Sequence, residues 1–209
     1  MRKTGINVGK MVQLAVLVAI IVVLAVTQIG FIMLGPLSIT IMMIPVAIAA
    51  IVVGPAGGAI AGGVFGLTAF IRGISGVSLF AATLININPI YAFILFVVAR
   101  VLAGWIPGLI YKALSAKKNK TLSATVACFV APICNTVFFL STLFLLFGNT
   151  EYIRGFGDTA WAIIMTLAGI NAVVEAGVGF IVGTAISRAL VHFLPGKKPE
   201  MSNEAKVSV

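Results

Sequence analysis

Charged side chains are scarce in this sequence, and acidic ones are scarcest: Asp and Glu together number 5 in 209 residues, and charged residues of both signs make up 9%. About a quarter of the residues in a soluble domain are charged, so an ordinary soluble fold is excluded. Histidine occurs once, as His192 near the C-terminal end, which excludes a His-based triad or a His-rich metal cluster within the apolar segments. The two cysteines, Cys128 and Cys134, lie in one apolar run, where a thiol acts as a small hydrophobe. No disulfide, no metal site and no cofactor are expected. No Gly-x4-Gly-Lys-Ser/Thr sequence occurs, so this chain does not bind ATP through that loop. The apolar runs also lack the Ser with His or Lys, or the paired Asp, of an intramembrane protease.

Hydrophobic residues, in contrast, make up 61% of the chain. A helix that crosses a bilayer uses about 20 apolar residues. The breaks in the pattern define six runs, at 11–29, 39–53, 56–71, 89–114, 122–147 and 159–194. Gly35-Pro36 follows the first run, and Gly54-Pro55 makes a tight turn between the second and third. The first run lacks a small-residue cleavage site and is expected to remain as a helix. Residues 72–88 read as a structured outer loop, in part helical. The expectation is an all-α integral membrane protein: one six-helix domain over 1–194 and a polar cytoplasmic tail over 195–209.

The formal charge is +9, from 14 Lys and Arg against 5 acidic residues. Cytoplasmic loops of membrane proteins collect Lys and Arg, so the excess reads as topology and not as nucleic-acid binding. Six spans with both termini cytoplasmic place Arg2, Lys3, Lys10, Lys112, Lys117, Lys118, Lys120, Arg188, Lys197, Lys198 and Lys206 inside, and Arg72 and Arg154 outside. The expected location is therefore the bacterial plasma membrane, with multiple passes.

Polar groups within apolar spans are costly and need a partner or a role. The candidates are Arg100, Asn135, Asn171 and Glu175. Counted from the nearest cytoplasmic basic residue at 1.5 Å per residue, all four lie about 20 to 25 Å deep. Asn171 and Glu175, four residues apart, share a helix face. Either Arg100 pairs with Glu175, or Arg100 meets an anionic ligand group while the amides and Glu175 bind its hydroxyls or amide N–H. Thr40, Asn88 and Tyr91 lie at the outer ends of spans; singly they read as interfacial residues and helix caps, and together as candidates for a lid over an outward-facing pocket. Small residues recur at spacing four in Gly54, Gly58, Gly62 and Gly66 and in Gly104-x3-Gly108, a spacing that lets membrane helices approach closely. Ala15-x3-Ala19 forms a similar notch in the bulky first span.

Several of these segments resemble the substrate-binding S components of energy-coupling factor (ECF) vitamin transporters. They are Gly35-Pro36 through Thr40, Ile44-Pro45, Gly54-Pro55 and Gly62 to Phe65-Gly66-Leu67; Ala99-Arg100-Val101-Leu102-Ala103-Gly104; Asn135-Thr136; and Asn171 with Glu175. The resemblance implies a non-enzymatic subunit that captures a vitamin from outside and docks, through Ala15 and Ala19, on a membrane T component driven by two cytoplasmic ATPases. It is strongest to the pantothenate branch. Pantothenate carries a carboxylate, an amide and two hydroxyls, which suits one Arg, two Asn and a Glu. Many relatives have His where this chain has Met43, which leaves pyridoxine-type vitamins, folate or another small metabolite as alternatives. Outside the family, a membrane carrier or scaffold is the remaining reading.

Overall fold

The computed structural model describes residues 8–27, 30–33, 38–116, 120–157, 159–169, 172–181 and 185. Its elements run α1 (Val8–Val26), β1 (Phe31–Met33), β2 (Ser38–Thr40), α2 (Met43–Val52), α3 (Pro55–Ile74), α4 (Leu79–Ile87) and α5 (Pro89–Phe93). A π-turn (Ile94–Val98) joins α5 to α6 (Ala99–Ser115), and α7 (Lys120–Phe147), α8 (Glu151–Arg154) and α9 (Ala160–Ile164) follow. A last helical piece, Ala172–Ile181, is inclined by 48° to Ala160–Leu167.

Among the described residues, four helices are long and apolar enough to cross a membrane: α1, α3, the continuous Pro89–Ser115 helix and α7; the bent pair, taken as one span, makes a fifth. Expected breaks coincide with real ones. Gly54 has φ +110°, a left-handed conformation that glycine adopts without strain, and Pro55 follows at the first helical position. Pro107 and Pro132 sit inside α6 and α7; such residues are tolerated in membrane helices because neighbours satisfy the freed backbone groups.

One expectation is corrected. The run 39–53 is not one long helix. Ser38–Thr40 pairs antiparallel with Phe31–Met33, in register Phe31↔Thr40, so only Met43–Val52 remains helical. Ten residues rise about 15 Å, half the hydrocarbon thickness. Residues 72–88 are helical over most of their length, with a short turn at 75–78. α3 continues through Arg72 to Ile74, and α4 begins after Ser78, whose hydroxyl accepts the Ala81 N–H.

The glycine series explains how the central helices meet. An added Cβ at Gly66 would run into the carbonyl of Phe96, at Gly62 into that of Arg100, and at Gly58 into that of Gly104. Each step of four along α3 thus matches a step of four along the partner helix, and the two backbones lie in contact. One apolar cluster is built around Leu17, Ile21, Met42, Val46, Phe65 and Ala127. A second is built around Phe80, Leu84, Leu95, Phe139, Leu143 and Ile153. The polar residues of interest lie where these clusters join.

Candidate ligand-binding site

Arg100 follows the π-turn by two residues. A π-turn is a local insertion in the helix, often found at functional sites. Here the Ala99 N–H bonds to Ile94 O, and Arg100 Nη1 donates to Phe96 O at 3.1 Å. The guanidinium carbon sits 4.6 Å from the ring centroid of Phe65, 5.5 Å from Phe96 and 5.3 Å from Phe139. Ring faces attract cations, so three aromatic side chains fix a buried positive charge, 7% exposed. Among the described residues, Arg100 Nε has no hydrogen-bond partner.

A cavity of about 60 Å³ opens beside this group, lined chiefly by Phe31, Thr40, Arg72, Phe80, Phe96, Arg100 and Phe139, with Ser78 at its edge. Arg72 is a second cation in its wall, 8% exposed. Its Nη1 donates to Ala25 O at 3.3 Å, and its guanidinium carbon lies 4.1 Å from the centroid of Phe31. It had been expected in an outer loop, and the folding of α4 and the end of α1 around it buries it instead. Thr40 enters from β2. Its N–H donates to Glu175 Oε1 at 2.8 Å, and its hydroxyl is buried against the same carboxylate. Glu175 lies in the wall of an adjoining cavity of about 10 Å³, shared with Thr40, Met43 and Cys128. Asn135 projects from α7 one turn before Phe139, buried, with Oδ1 unpartnered among the described residues.

Of the residues singled out from the sequence, Arg100 and Thr40 meet at the larger cavity, Glu175 joins them through Thr40, and Asn135 lies one helical turn from the wall. Arg100 and Glu175 do not form an ion pair: among the described residues, Glu175 is engaged by Thr40 and Arg100 by Phe96 O and the rings. Asn171 lies outside the described residues. Asn88 and Tyr91 stand apart from the cavity. Asn88 Oδ1 caps α5, accepting the N–H groups of Ile90 and Tyr91 at 3.1 Å each. Tyr91 is exposed and packs edge-on against Phe147 at 6.2 Å. Ala15 and Ala19 are exposed on α1, which buries only Leu17, Ile21 and Ala25.

Sequence reasoning missed Arg72 and the aromatic walls. Spacing did hold a signal. Phe65, Ala69 and Arg72 fall at i, i+4 and i+7 on α3, Phe139 is four residues after Asn135, and Phe96 is four before Arg100, so aromatics lie one or two turns from each polar candidate.

The arrangement can bind an anion. Arg100 and Arg72 present guanidinium donors to one small cavity, and among the described residues neither is paired with a carboxylate. Two buried cations with one carboxylate near them leave an excess of positive charge, which is costly, and polar atoms without a partner among the described residues suit a ligand with hydroxyls or an amide.

The sequence profile of the family described as "ECF transporter, substrate-specific component" matches residues 9–187. The chain is 29% identical over 191 residues to the pantothenic acid transporter PanT of Lactococcus lactis subsp. cremoris (strain MG1363), covering 85% of this chain and 91% of that protein.

Proposed function

Because the chain belongs to the family of ECF transporter substrate-specific components, we propose that it is the vitamin-capturing subunit of an ATP-driven importer and that its ligand is pantothenate. Membership makes it a multi-pass protein of the cell membrane and a transport subunit, not an enzyme. The single observation that carries the ligand assignment is Arg100, buried among three aromatic rings beside the cavity and unpaired with any carboxylate among the described residues. A carboxylate is the ligand group that matches it. Asn135 Oδ1, buried and without a partner among the described residues, suits a ligand that offers a hydroxyl or an amide N–H. The likeness to a named pantothenic acid transporter supports the same choice.

In this reading residues 1–194 form one membrane domain of six passes, α2 completing the count as a short helix turned against α3, and 195–209 is a cytoplasmic tail. Both termini are cytoplasmic and the cavity opens outward. Arg100 holds the carboxylate, Asn135, Asn171 and Thr40 bind the polar body of the ligand, Glu175 positions Thr40, and Asn88 and Tyr91 shape the outer end of the Pro89–Ser115 helix. Ala15 and Ala19 form the notch on which a membrane T component docks, and two cytoplasmic ATPases supply the energy.

The test is mass spectrometry of small molecules that copurify with the detergent-solubilised protein, followed by titration with pantothenate. A stoichiometric vitamin and saturable binding are expected. A protein that copurifies with nothing and binds no water-soluble vitamin overturns the reading in favour of a scaffold.

A further inference from the structure

The cavity wall holds one more cation than a single anion-binding arginine requires. Arg72 comes from the last turn of α3 and Arg100 from the start of α6, yet both line the same space of about 60 Å³. At about 10 to 15 Å³ per water site, that space has room for about four to six waters, the scale of one carboxyl group and its neighbours. The two guanidiniums are carried on adjacent rings: Arg72 on Phe31 and Arg100 on Phe65, whose centroids are 6.3 Å apart. Each is tethered to a backbone carbonyl by one nitrogen, Arg72 to Ala25 O and Arg100 to Phe96 O. A guanidinium has five N–H donors, so each keeps donors for the cavity. No carboxylate lines this cavity among the described residues. Glu175, the acidic group reached through Thr40, occupies the adjoining one.

We infer that Arg72 and Arg100 together clamp one carboxylate of the ligand, which makes Arg72 a second residue that selects acids over their neutral analogues. The inference rests on the vitamin-capture reading above. A carboxylate has two oxygens and about four lone-pair sites, enough to accept from both forks. With two arginines and Glu175 near the cavity, the ligand's negative charge brings the local balance to zero. A neutral ligand leaves two buried cations facing one carboxylate, a state disfavoured by desolvation.

The experiment is calorimetric titration of the full-length, detergent-solubilised protein with pantothenate and with pantothenol, which has a primary alcohol in place of the carboxylate. The quantity read is the ratio of the two dissociation constants. Wild-type protein is expected to prefer the acid by a hundredfold or more. Arg72→Gln keeps a donor for the Ala25 carbonyl but loses the charge, and is expected to lower the preference by about tenfold, the scale of one hydrogen bond to a charged group. Arg72→Lys is expected to recover part of it. If Arg72 only fastens the end of α1 to α3, Arg72→Gln and Arg72→Lys leave the ratio at the wild-type value, whatever they do to overall affinity, and the clamp is overturned. Wild-type protein that binds pantothenate and pantothenol equally well overturns it as well. Wild-type protein that binds neither overturns the vitamin assignment, and the clamp falls with it.

Discussion

Glu175 Oε1 accepts the backbone N–H of Thr40 at 2.8 Å across 135 positions of sequence. The bond ties the bent final helix to β2, the strand that brings Thr40 Oγ1 to the cavity. Glu175 thereby acts through Thr40. Removing the acceptor leaves a buried N–H unsatisfied, at about 1 to 3 kcal/mol. Glu175→Ala is expected to weaken pantothenate binding about tenfold, while Glu175→Gln, which keeps a carbonyl oxygen, stays within about threefold. Calorimetric titration separates the two, and equal losses would show that charge, not the acceptor, matters.

Arg100→Ala removes the cation that three aromatic rings surround. The protein is expected to remain folded and monodisperse in size-exclusion chromatography while binding of an acidic vitamin falls by roughly a hundredfold or more, the scale of two charge-assisted hydrogen bonds. Retained affinity sinks the assignment of Arg100 to the carboxylate.

Asn135 presents the opposite balance of stability and function. Among the described residues its Oδ1 is buried with no partner, a state that costs about 1 to 3 kcal/mol. Asn135→Leu, of similar shape, is expected to raise the melting temperature of ligand-free protein and to weaken ligand binding at the same time. A thermal melt with and without pantothenate measures both; a lowered ligand-free melting temperature contradicts the account.

Gly62 sets the backbone of Arg100. A Cβ at this position would meet the Arg100 carbonyl oxygen, with no flexible side chain to move aside. Gly62→Ala is therefore expected to destabilise by about 1 to 3 kcal/mol and to lower ligand affinity, because α6 must shift to make room. Gly63→Ala is the control: its Cβ would approach only the Val101 side chain, at 3.2 Å. It is expected to leave affinity within about twofold, since a flexible side chain can yield by the few tenths of an ångström needed.

Ala15→Leu fills the exposed notch on α1 without touching the cavity, since Ala15 lies away from the packed face that holds Leu17 and Ile21. Titration with pantothenate is expected to be unchanged, while reconstitution with a T component and its ATPases yields less assembled complex and less uptake. Normal assembly removes Ala15 from the docking surface.

Arg100, Asn135 and Glu175 were legible in the sequence because a polar side chain inside an apolar run is costly wherever the run ends up. Arg72 was not, because an arginine at the end of an apolar run ordinarily reaches the interface. It is buried here only because the end of α1 supplies Ala25 O and Phe31 covers its plane. Asn88 takes the helix-cap reading for a local reason: Asn88-Pro89 opens a helix, and the Asn88 side chain is taken up by the N–H groups of that helix's first turn.

The sequence by itself determined the membrane class, the family and several helix boundaries. These depend on hydropathy, on Gly-Pro turns and on motif order, all of which are local along the chain. Only the tertiary structure decided which residues share a cavity. Hydropathy leaves the sliding and rotation of two apolar helices free, and the close approach of Gly58, Gly62 and Gly66 to the Pro89–Ser115 helix removes that freedom. That contact, with the hairpin that turns Thr40 inward, brought two arginines together and left Glu175 holding Thr40 instead of Arg100.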